Sequence, residues 1–326
     1  MTDLITALAA IVLGPLATFG LYYLLNLLVN LLPSVKMRKA FRPYVFIAPV
    51  LLLIGGLLVW PTLQSIVFSF MNDDSSEFIG LDNYFELFAD PSFVQTVWNN
   101  VLWVVVVPVA TIISGLFIAV LTDKLGPLRE RVFKSIIFMP MAISFVAASS
   151  IWRLNYSWNA GEEQIGMLNA FVKAIGGTPI NWVQTDTLSL NSLMIMIIVI
   201  WANVGFAMTL LSAAIKAVPE ETTEAAALDG ATGAQAFFQV VLPQIWGTVV
   251  SVFITVLISS MKIFDVIWGM TGGNFGTNVL GVDFFLQYFV YNDTGKATAV
   301  VVLLMLAIIP VMYYQVRSYR KQEEIR

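Results

Sequence analysis

The chain has 326 residues, of which 58% are hydrophobic and 12% charged, and its formal net charge at pH 7 is −4. A soluble domain is roughly 45–50% apolar and about 25% charged, so this composition indicates a polytopic membrane protein. The sequence has no cysteine and no histidine, which excludes disulfides, thiol catalysis, histidine metal sites and Ser-His triads, and no basic cluster with interleaved aromatic residues indicates nucleic acid.

Seven apolar runs are long enough to cross about 30 Å of hydrocarbon, which takes roughly 20 helical residues. They lie at residues 8–32, 44–70, 99–122, 133–154, 191–213, 247–270 and 297–316. The first run could be mistaken for a signal peptide, but no basic segment precedes it and a basic segment follows it at 36–42. We therefore expect an all-α membrane protein with about seven transmembrane helices, the first of them an uncleaved anchor.

The basic residues predict the orientation, because short cytoplasmic loops carry an excess of lysine and arginine. Most of them fall in alternate connecting segments: Lys36, Arg38, Lys39, Arg42, Lys124, Arg129, Arg131, Lys134, Lys216, Arg317, Arg320, Lys321 and Arg326. The intervening segment 71–98 carries several carboxylates and no lysine or arginine. We expect the carboxyl terminus in the cytoplasm and the amino terminus on the opposite side of the membrane.

A polar segment between the fifth and sixth runs predicts a short exposed helix. Pro219 suits a first helical position, Glu220 and Glu221 follow at the positive end of the helix dipole, and Gly230 is a natural stop after an alanine run. Such a helix has about 11 residues and is roughly 16 Å long, which is too short to cross a bilayer. Charge counting places it on the cytoplasmic side, where a partner could bind it.

The same segment resembles the coupling loop of bacterial ATP-binding-cassette importer permeases of the carbohydrate class. In that family the loop docks into a cleft on the ATPase subunit. The matching positions are Glu224, Ala225, Ala226, Asp229, Gly230, Ala231, Phe237, Val240, Leu242 and Pro243. Gly247 is a departure, because the family often has proline there. The alternative interpretation is an ordinary amphipathic loop helix.

The resemblance continues through the segments at 78–84, 99–102, 138–140, 166–169 and 262–273. It is similar to the maltose-permease-like half of such importers, and the strings at 138–145 and 243–248 look most like α-glucoside permeases. The resemblance implies an additional transmembrane helix and basic cytoplasmic linker at 1–42, then a six-helix permease core at 43–326 with its coupling loop at 214–246.

The function that the resemblance implies is ATP-driven sugar import by alternating access. A periplasmic or lipoprotein sugar-binding protein would deliver the sugar, and a second permease subunit would complete the central cavity within the membrane lipid. Two ATPase subunits would bind ATP and Mg. This chain would be a transport subunit without a catalytic residue, a metal or a cofactor of its own.

Neutral sugars need amide or hydroxyl hydrogen bonds and a flat apolar surface. Helical spacing places Ser259 and Ser260 on one face of the sixth span together with Val256 and Ile263. The resemblance implies a sugar path lined by such faces, at Met141, Phe145, Asn203, Ser259, Ser260 and Lys262.

Two of these residues, and two aromatic residues nearby, also have a structural interpretation. Asn203 could hydrogen-bond between helices, and Lys262 could pair with Asp265 three residues later. Trp152 and Tyr156 could stack on sugar or belong to the interfacial aromatic belt.

Two other functions stay open at the level of sequence. An ion-coupled secondary transporter would show inverted repeats and carboxylates at the middle of the membrane, and Asp265 is the one carboxylate within the assigned spans. A non-transporting membrane scaffold would lack polar faces at helical spacing.

Overall fold

The structure, a computed structural model, describes residues 2–161 and 165–324. The chain divides into two compact units, Met1–Val67 and Phe68–Arg326. Arg326, one of the basic residues used to predict the orientation, lies outside the described residues. The predicted division of the chain after residue 42 stays a prediction about functional organisation.

The first unit consists of α1 (Thr2–Asn30) and most of α2 (Val35–Phe68). Their rings meet at Tyr22 and Phe46, with centroids 5.3 Å apart, and the turn between the helices is held by Arg38 Nε, which donates to the Leu32 carbonyl at 2.7 Å. A π-helical turn at Gly55–Val59 precedes Pro61. A widened turn at this point accommodates the proline ring and its missing N–H within a continuous helix.

The second unit contains the remaining helices. They are α3 (Asp82–Ala89), α4 (Pro91–Asp123), α5 (Pro127–Phe138), α6 (Phe145–Asn155), α7 (Met167–Ala174), α8 (Leu190–Lys216), α9 (Glu220–Leu228), α10 (Gly233–Met261), α11 (Asp265–Met270), α12 (Leu280–Val290) and α13 (Thr294–Glu324). Asp90 caps α4 by accepting from the Ser92 amide at 2.8 Å, and Pro91 occupies the first turn. At 33 residues, α4 is about 50 Å long.

The core of this unit forms where α4 packs against α8 and α10. An added Cβ at Gly115 would lie 2.7 Å from the Ala207 Cβ, so the glycine allows the α4 and α8 backbones to approach closely. One buried cluster, which includes Trp103, lies toward the amino-terminal end of α4. A second, which includes Ala207 and Leu211, lies toward its carboxyl-terminal end.

The predicted all-α polytopic class is confirmed. Among the described residues, six helices are long and apolar enough to cross a membrane, and a seventh crossing results if the pair α5 and α6 counts as one span. The predicted run at 133–154 is wrong as a straight span, because the chain bends by 102° between Ala142 and Phe145. Pro140 lies in a 3₁₀ turn at Met139–Ala142, and Ser144 then caps α6 by accepting from the Ala147 amide.

The predicted span 247–270 is also wrong at both ends, since α10 begins at Gly233 and ends at Met261. Thr232 and Gln235 form a capping box that starts the helix early. A π-helical turn at Phe237–Val241 then accommodates Pro243 inside the helix. The segment between α8 and α10 is therefore 217–232, which is shorter than the predicted loop at 214–246.

Three asparagines, named here the asparagine cluster, hold the chain after α10 ends. Asn100 Nδ2 donates to the Met261 carbonyl at 3.0 Å, and Asn100 Oδ1 accepts from the Leu280 amide at 2.7 Å. Asn99 Nδ2 donates to the carbonyls of Gly276 and Asn278 at 2.7 and 2.8 Å. Asn191 Nδ2 donates to the Phe275 carbonyl at 2.6 Å. Segment 261–280 is thus fixed to the amino-terminal ends of α4 and α8.

A buried carboxyl lies just beyond this segment. Asp283 is 8% exposed, its Oδ1 accepts from Asn278 Nδ2 at 3.3 Å, and its Oδ2 has no hydrogen-bond partner in the described part of the chain. Burial, with a smaller contribution from the negative charge of Asp90, raises the pKa of Asp283 to about 6. Folding therefore favours the protonated form of this group.

We predict that Asp283→Asn raises stability at pH 7.5. Because the folded-state pKa of Asp283 is above its unfolded value of 3.8, wild-type stability falls as pH rises from about 4 through about 6 and then stays level. The gain from the substitution is at most about 3 kcal/mol, since one pKa unit corresponds to about 1.4 kcal/mol.

Thermal unfolding of detergent-solubilised wild type and Asp283→Asn from pH 4 to pH 7.5 measures this difference. The two midpoints should converge near pH 4 and separate above pH 6. Glu77→Gln neutralises an exposed carboxylate and serves as the control. A difference in unfolding midpoint between Asp283→Asn and wild type that does not change with pH would contradict the raised pKa of Asp283 in the folded state.

Candidate functional site

The predicted coupling helix is present as α9. It follows Pro219, carries Glu220 and Glu221 in its first turn, and has no buried residue. The side chains of Glu224 and Ala225 are exposed and that of Ala226 is half-buried. An isolated helix of nine residues is only marginally stable, and because no residue of α9 is buried, packing within the chain adds little to its stability.

The helix stops at Gly230. This glycine has a φ of +84°, a left-handed conformation that side chains disfavour. The Gly230 amide donates to Ala227 O, and the Ala231 amide donates to Ala226 O, both at 3.0 Å. These two bonds form a Schellman motif, which satisfies carbonyls at the end of the helix. Asp229 is the residue at the helix end and is exposed.

Leu228 is the residue on this surface that sequence reasoning missed. Its side chain is 89% exposed, more than that of any other large hydrophobic residue among those whose burial the structure describes. The position could have been noticed as a bulky apolar residue after an alanine run and before Asp229 and Gly230. An apolar side chain held this far into solvent by a rigid helix end suits insertion into a partner.

Behind α9 lies an ionic cluster of Asp123, Glu130, Lys134 and Lys216. Lys216 Nζ lies 2.6 Å from Glu130 Oε1 and 3.7 Å from Asp123 Oδ1. Lys134 Nζ lies 2.5 Å from the same Glu130 oxygen and also contacts the Ser212 hydroxyl. The cluster joins the ends of α4, α5 and α8 on the side where α9 leaves the bundle.

A cavity of about 720 Å³ separates α9 from these helix ends. Asp123 and Lys216 line it on one side, and Glu220 and Thr223 of α9 on the other. The coupling helix is therefore not packed tightly against the bundle. The connection between them runs through residues 217–219 before α9 and through the helix α10 after it.

Leu242 and Pro243 lie within α10 and not at a loop boundary. Leu242 is half-buried and packs against the second buried cluster, which includes Ala207 and Leu211, whereas Pro243 is exposed. They follow the π-helical turn at Phe237–Val241. The ten matching positions thus divide into six at α9 and its end, from Glu224 to Ala231, and four inside the next membrane helix, from Phe237 to Pro243.

The structure separates the predicted sugar-path residues of the fourth span. Met141 lies in the 3₁₀ turn and is 45% exposed, whereas Phe145 begins α6 after the bend and is half-buried. Met141 and Phe145 therefore do not lie on one face of a continuous helix, because the chain bends between them and Ser144 caps the second helix of the bent pair.

Asn203, Ser259 and Ser260 each hydrogen-bond back onto their own helix. Asn203 Nδ2 donates to Val199 O at 2.8 Å, Ser259 Oγ to Thr255 O at 3.1 Å, and Ser260 Oγ to Val256 O at 2.9 Å. These bonds join no two helices. Asn203 is half-buried and Ser259 exposed, but Ser260 is only 1% exposed, so Ser260 faces the interior of the bundle. Ile263 lies beyond the end of α10 and shares no helical face with these serines.

Lys262 and Asp265 are both exposed and flank the break between α10 and α11. Within residues 2–161 and 165–324 no ion pair joins them. The break explains this, because the three-residue spacing brings side chains together only on a continuous helix.

An aromatic pocket of about 680 Å³ opens between α6, α7 and α8, lined by Trp152, Tyr156, Trp182 and Trp201 among other residues. Trp152 contacts Trp201 edge to face, with ring centroids 5.7 Å apart, and Tyr156 at 5.1 Å. Its lining is almost entirely apolar. Trp152 and Tyr156 thus belong to a preformed aromatic surface. Sugar stacking and membership of the interfacial aromatic belt stay predictions for these two residues.

Comparison with known proteins agrees with this arrangement. Residues 111–323 match the family described as binding-protein-dependent transport system inner membrane component. An alpha-glucoside transport system permease protein of Rhizobium meliloti is 39% identical over 336 residues, which cover 99% of each chain. An osmoprotective compounds uptake permease protein of Synechocystis sp. is 41% identical over 282 residues, covering 86% of this chain and 100% of that protein.

A solved structure shares the fold. It is that of a bacterial ABC transporter involved in the import of the acidic polysaccharide alginate, with a TM-score of 0.75 at 18% identity. The superposition covers 87% of this chain and 97% of that chain.

Proposed function

Because this chain belongs to the family of inner membrane components of binding-protein-dependent transport systems, we propose that it carries an α-glucoside or a related oligosaccharide. It is a permease subunit of an ABC sugar importer and not itself an enzyme. Membership of the family removes the ion-coupled secondary transporter and the scaffold as alternatives. The observation that supports the cargo is the 39% identity to the alpha-glucoside permease along the whole length of both chains.

A second candidate cargo is an osmoprotective compound. The relative from Synechocystis is 41% identical and matches along its entire length. Among the predicted path residues, Asn203 is half-buried and Ser259 exposed, and their amide and hydroxyl groups suit a neutral cargo in either case, whereas Lys262 is the one charged member of the set.

The proposed partners follow from the role of a permease subunit. A second permease completes the membrane pathway, two ATPase subunits bind ATP and Mg, and a periplasmic or lipoprotein binding protein delivers the cargo. The exposed face of α9, with Glu224, Leu228 and Asp229, is the surface that we assign to the ATPase. Closure of the ATPases on ATP would move α9, and the cytoplasmic ends of α8 and α10 would move with it.

The orientation is part of the proposal. The side that bears α9 is cytoplasmic, and the opposite side, with the segment 71–90 and the asparagine cluster, faces outward. The excess of basic residues on the α9 side supports this assignment.

The cargo is tested with the purified complex of both permeases and the ATPases, reconstituted in vesicles with the binding protein. We expect ATPase activity to rise with maltose and isomaltose, which are α-glucosides and not common compatible solutes, and to stay at the basal level with glycine betaine. Stimulation by glycine betaine alone would favour the osmoprotective class. No response to any sugar would contradict the proposed cargo.

The docking role of α9 predicts that Leu228→Ser weakens the ATPase interaction. Burying a leucine side chain contributes about 1.5–3 kcal/mol, which corresponds to roughly 10- to 150-fold in affinity. Sugar uptake and ATPase co-purification should fall together while the amount of permease in the membrane is unchanged.

Leu128→Ser is the matched control, because Leu128 is also strongly exposed, at 73%, and lies outside α9. Normal co-purification and uptake with Leu228→Ser would show that α9 does not dock through this side chain.

A further inference from the structure

A polar cavity of about 520 Å³ lies on the side of the second unit opposite to α9. The first two turns of α4 form one wall, and the segment 271–278 forms another. Trp268, Leu286 and Tyr291 complete the lining. The cavity shares no lining residue with the aromatic pocket, and none of the predicted sugar-path residues lines it.

The lining has the chemistry that neutral polyhydroxylated ligands require. Amide side chains are contributed by Gln95, Asn274 and Asn278, and aromatic rings by Trp268 and Tyr291. None of the described residues that line the cavity is charged. An anionic or cationic ligand would therefore meet no opposite charge, and a lipid chain or an apolar helix would leave the amides without partners.

Several hydrogen-bonding groups of the lining are free. The Gln95 amide, the Trp268 indole N–H and the Tyr291 hydroxyl make no hydrogen bond with any residue that the structure describes. Gln95 Nε2 lies directly over Gly276, where an added Cβ would be 2.9 Å away. These three groups can bind a ligand without breaking an internal bond.

The opposite wall is rigid. Asn99 and Asn191 bind the carbonyls of Gly276, Asn278 and Phe275, and the hydroxyls of Thr271 and Thr277 lie 2.6 Å apart. A wall fixed in this way loses little conformational entropy when a ligand binds. The volume lies within the roughly 300–1,000 Å³ of small-molecule pockets.

We infer that this cavity is an outer subsite that binds a sugar ring of the cargo through Gln95, Trp268 and Tyr291. This inference rests on the proposed function, since it takes the neutral sugar cargo and the outward orientation from it. The subsite lies outside the predicted path and would hold the sugar before it reaches the central cavity.

The absence of cysteine from the sequence provides a direct test. Ser92→Cys is the reporter in the assembled importer, because Ser92 is an exposed residue of the lining and is not one of the three assigned binding groups. The binding protein is omitted, and a membrane-impermeant maleimide is added from outside. Maltose, trehalose and sucrose are titrated, and mannitol, an acyclic polyol, is the solute control. Because an occupied site does not react, the labelling rate should be halved when the sugar concentration equals the dissociation constant.

Glu77→Cys is the matched control, because Glu77 is exposed on the same side and lies outside the cavity. Its labelling should proceed in intact cells and should not respond to sugar. Leu286→Cys lines the same cavity and replaces Ser92→Cys as the reporter if that variant does not assemble.

The outcomes separate the subsite from the proposed function. Protection of the cavity cysteine by sugar and not by mannitol, with no protection of Glu77→Cys, supports the subsite. Equal labelling with and without sugar, in a complex that takes up that sugar once the binding protein is added, overturns the subsite and leaves the proposed function standing. No uptake of any sugar by the unlabelled wild-type complex in the presence of the binding protein overturns the proposed function, and the subsite with it.

Discussion

The backbone N–H and C=O groups freed where α10 ends at Met261 need hydrogen-bond partners inside the protein. The surrounding structure depends on which side chains supply those partners. A polar backbone group left unpaired among apolar helices costs several kcal/mol by transfer estimates. The Asn100 side chain supplies both a donor for the Met261 carbonyl and an acceptor for the Leu280 amide. The Asn99 and Asn191 side chains donate hydrogen bonds to carbonyls of the intervening turn. The break in the helix is thereby compatible with a tightly packed bundle.

This constraint gives the two ends of the second unit different properties. At the end that bears the asparagine cluster, amide bonds fix the turn after α11, and a rigid polar cavity forms beside it. At the other end, α9 has no buried residue, and a cavity separates it from the bundle. The ionic cluster around Glu130 joins α4, α5 and α8 just behind it. One fixed end and one end with an exposed helix are what the proposed orientation and docking role require, with cargo received at the fixed end and a mechanical input at the exposed helix.

The features that could be predicted from sequence are those encoded locally. Apolar length predicted the number of crossings, and the caps, alanines and Gly230 predicted α9, because each acts within a few residues. The breaks at Ala142–Phe145 and after Met261 were missed because apolar composition is the same on both sides of a break. Their stabilising partners are distant in sequence: Asn100 and Met261 are 161 residues apart. The prediction that Ser260 and Ile263 share a helical face was wrong for the same reason. Leu228 was missed because composition does not report how exposed a side chain is.

Hydrogen exchange at the Leu280 amide in Asn100→Ala tests the central claim most directly. Loss of the acceptor leaves this amide unpaired, at a cost of about 1–3 kcal/mol, so its protection should fall roughly 5- to 150-fold. The change should be confined to peptides that cover 261–283 and should spare α9. Asn155→Ala is the control, because Asn155 Nδ2 only bonds back to Ile151 O at 3.0 Å. Unchanged protection of Leu280 in Asn100→Ala would contradict the claim that the asparagine cluster holds the broken helix.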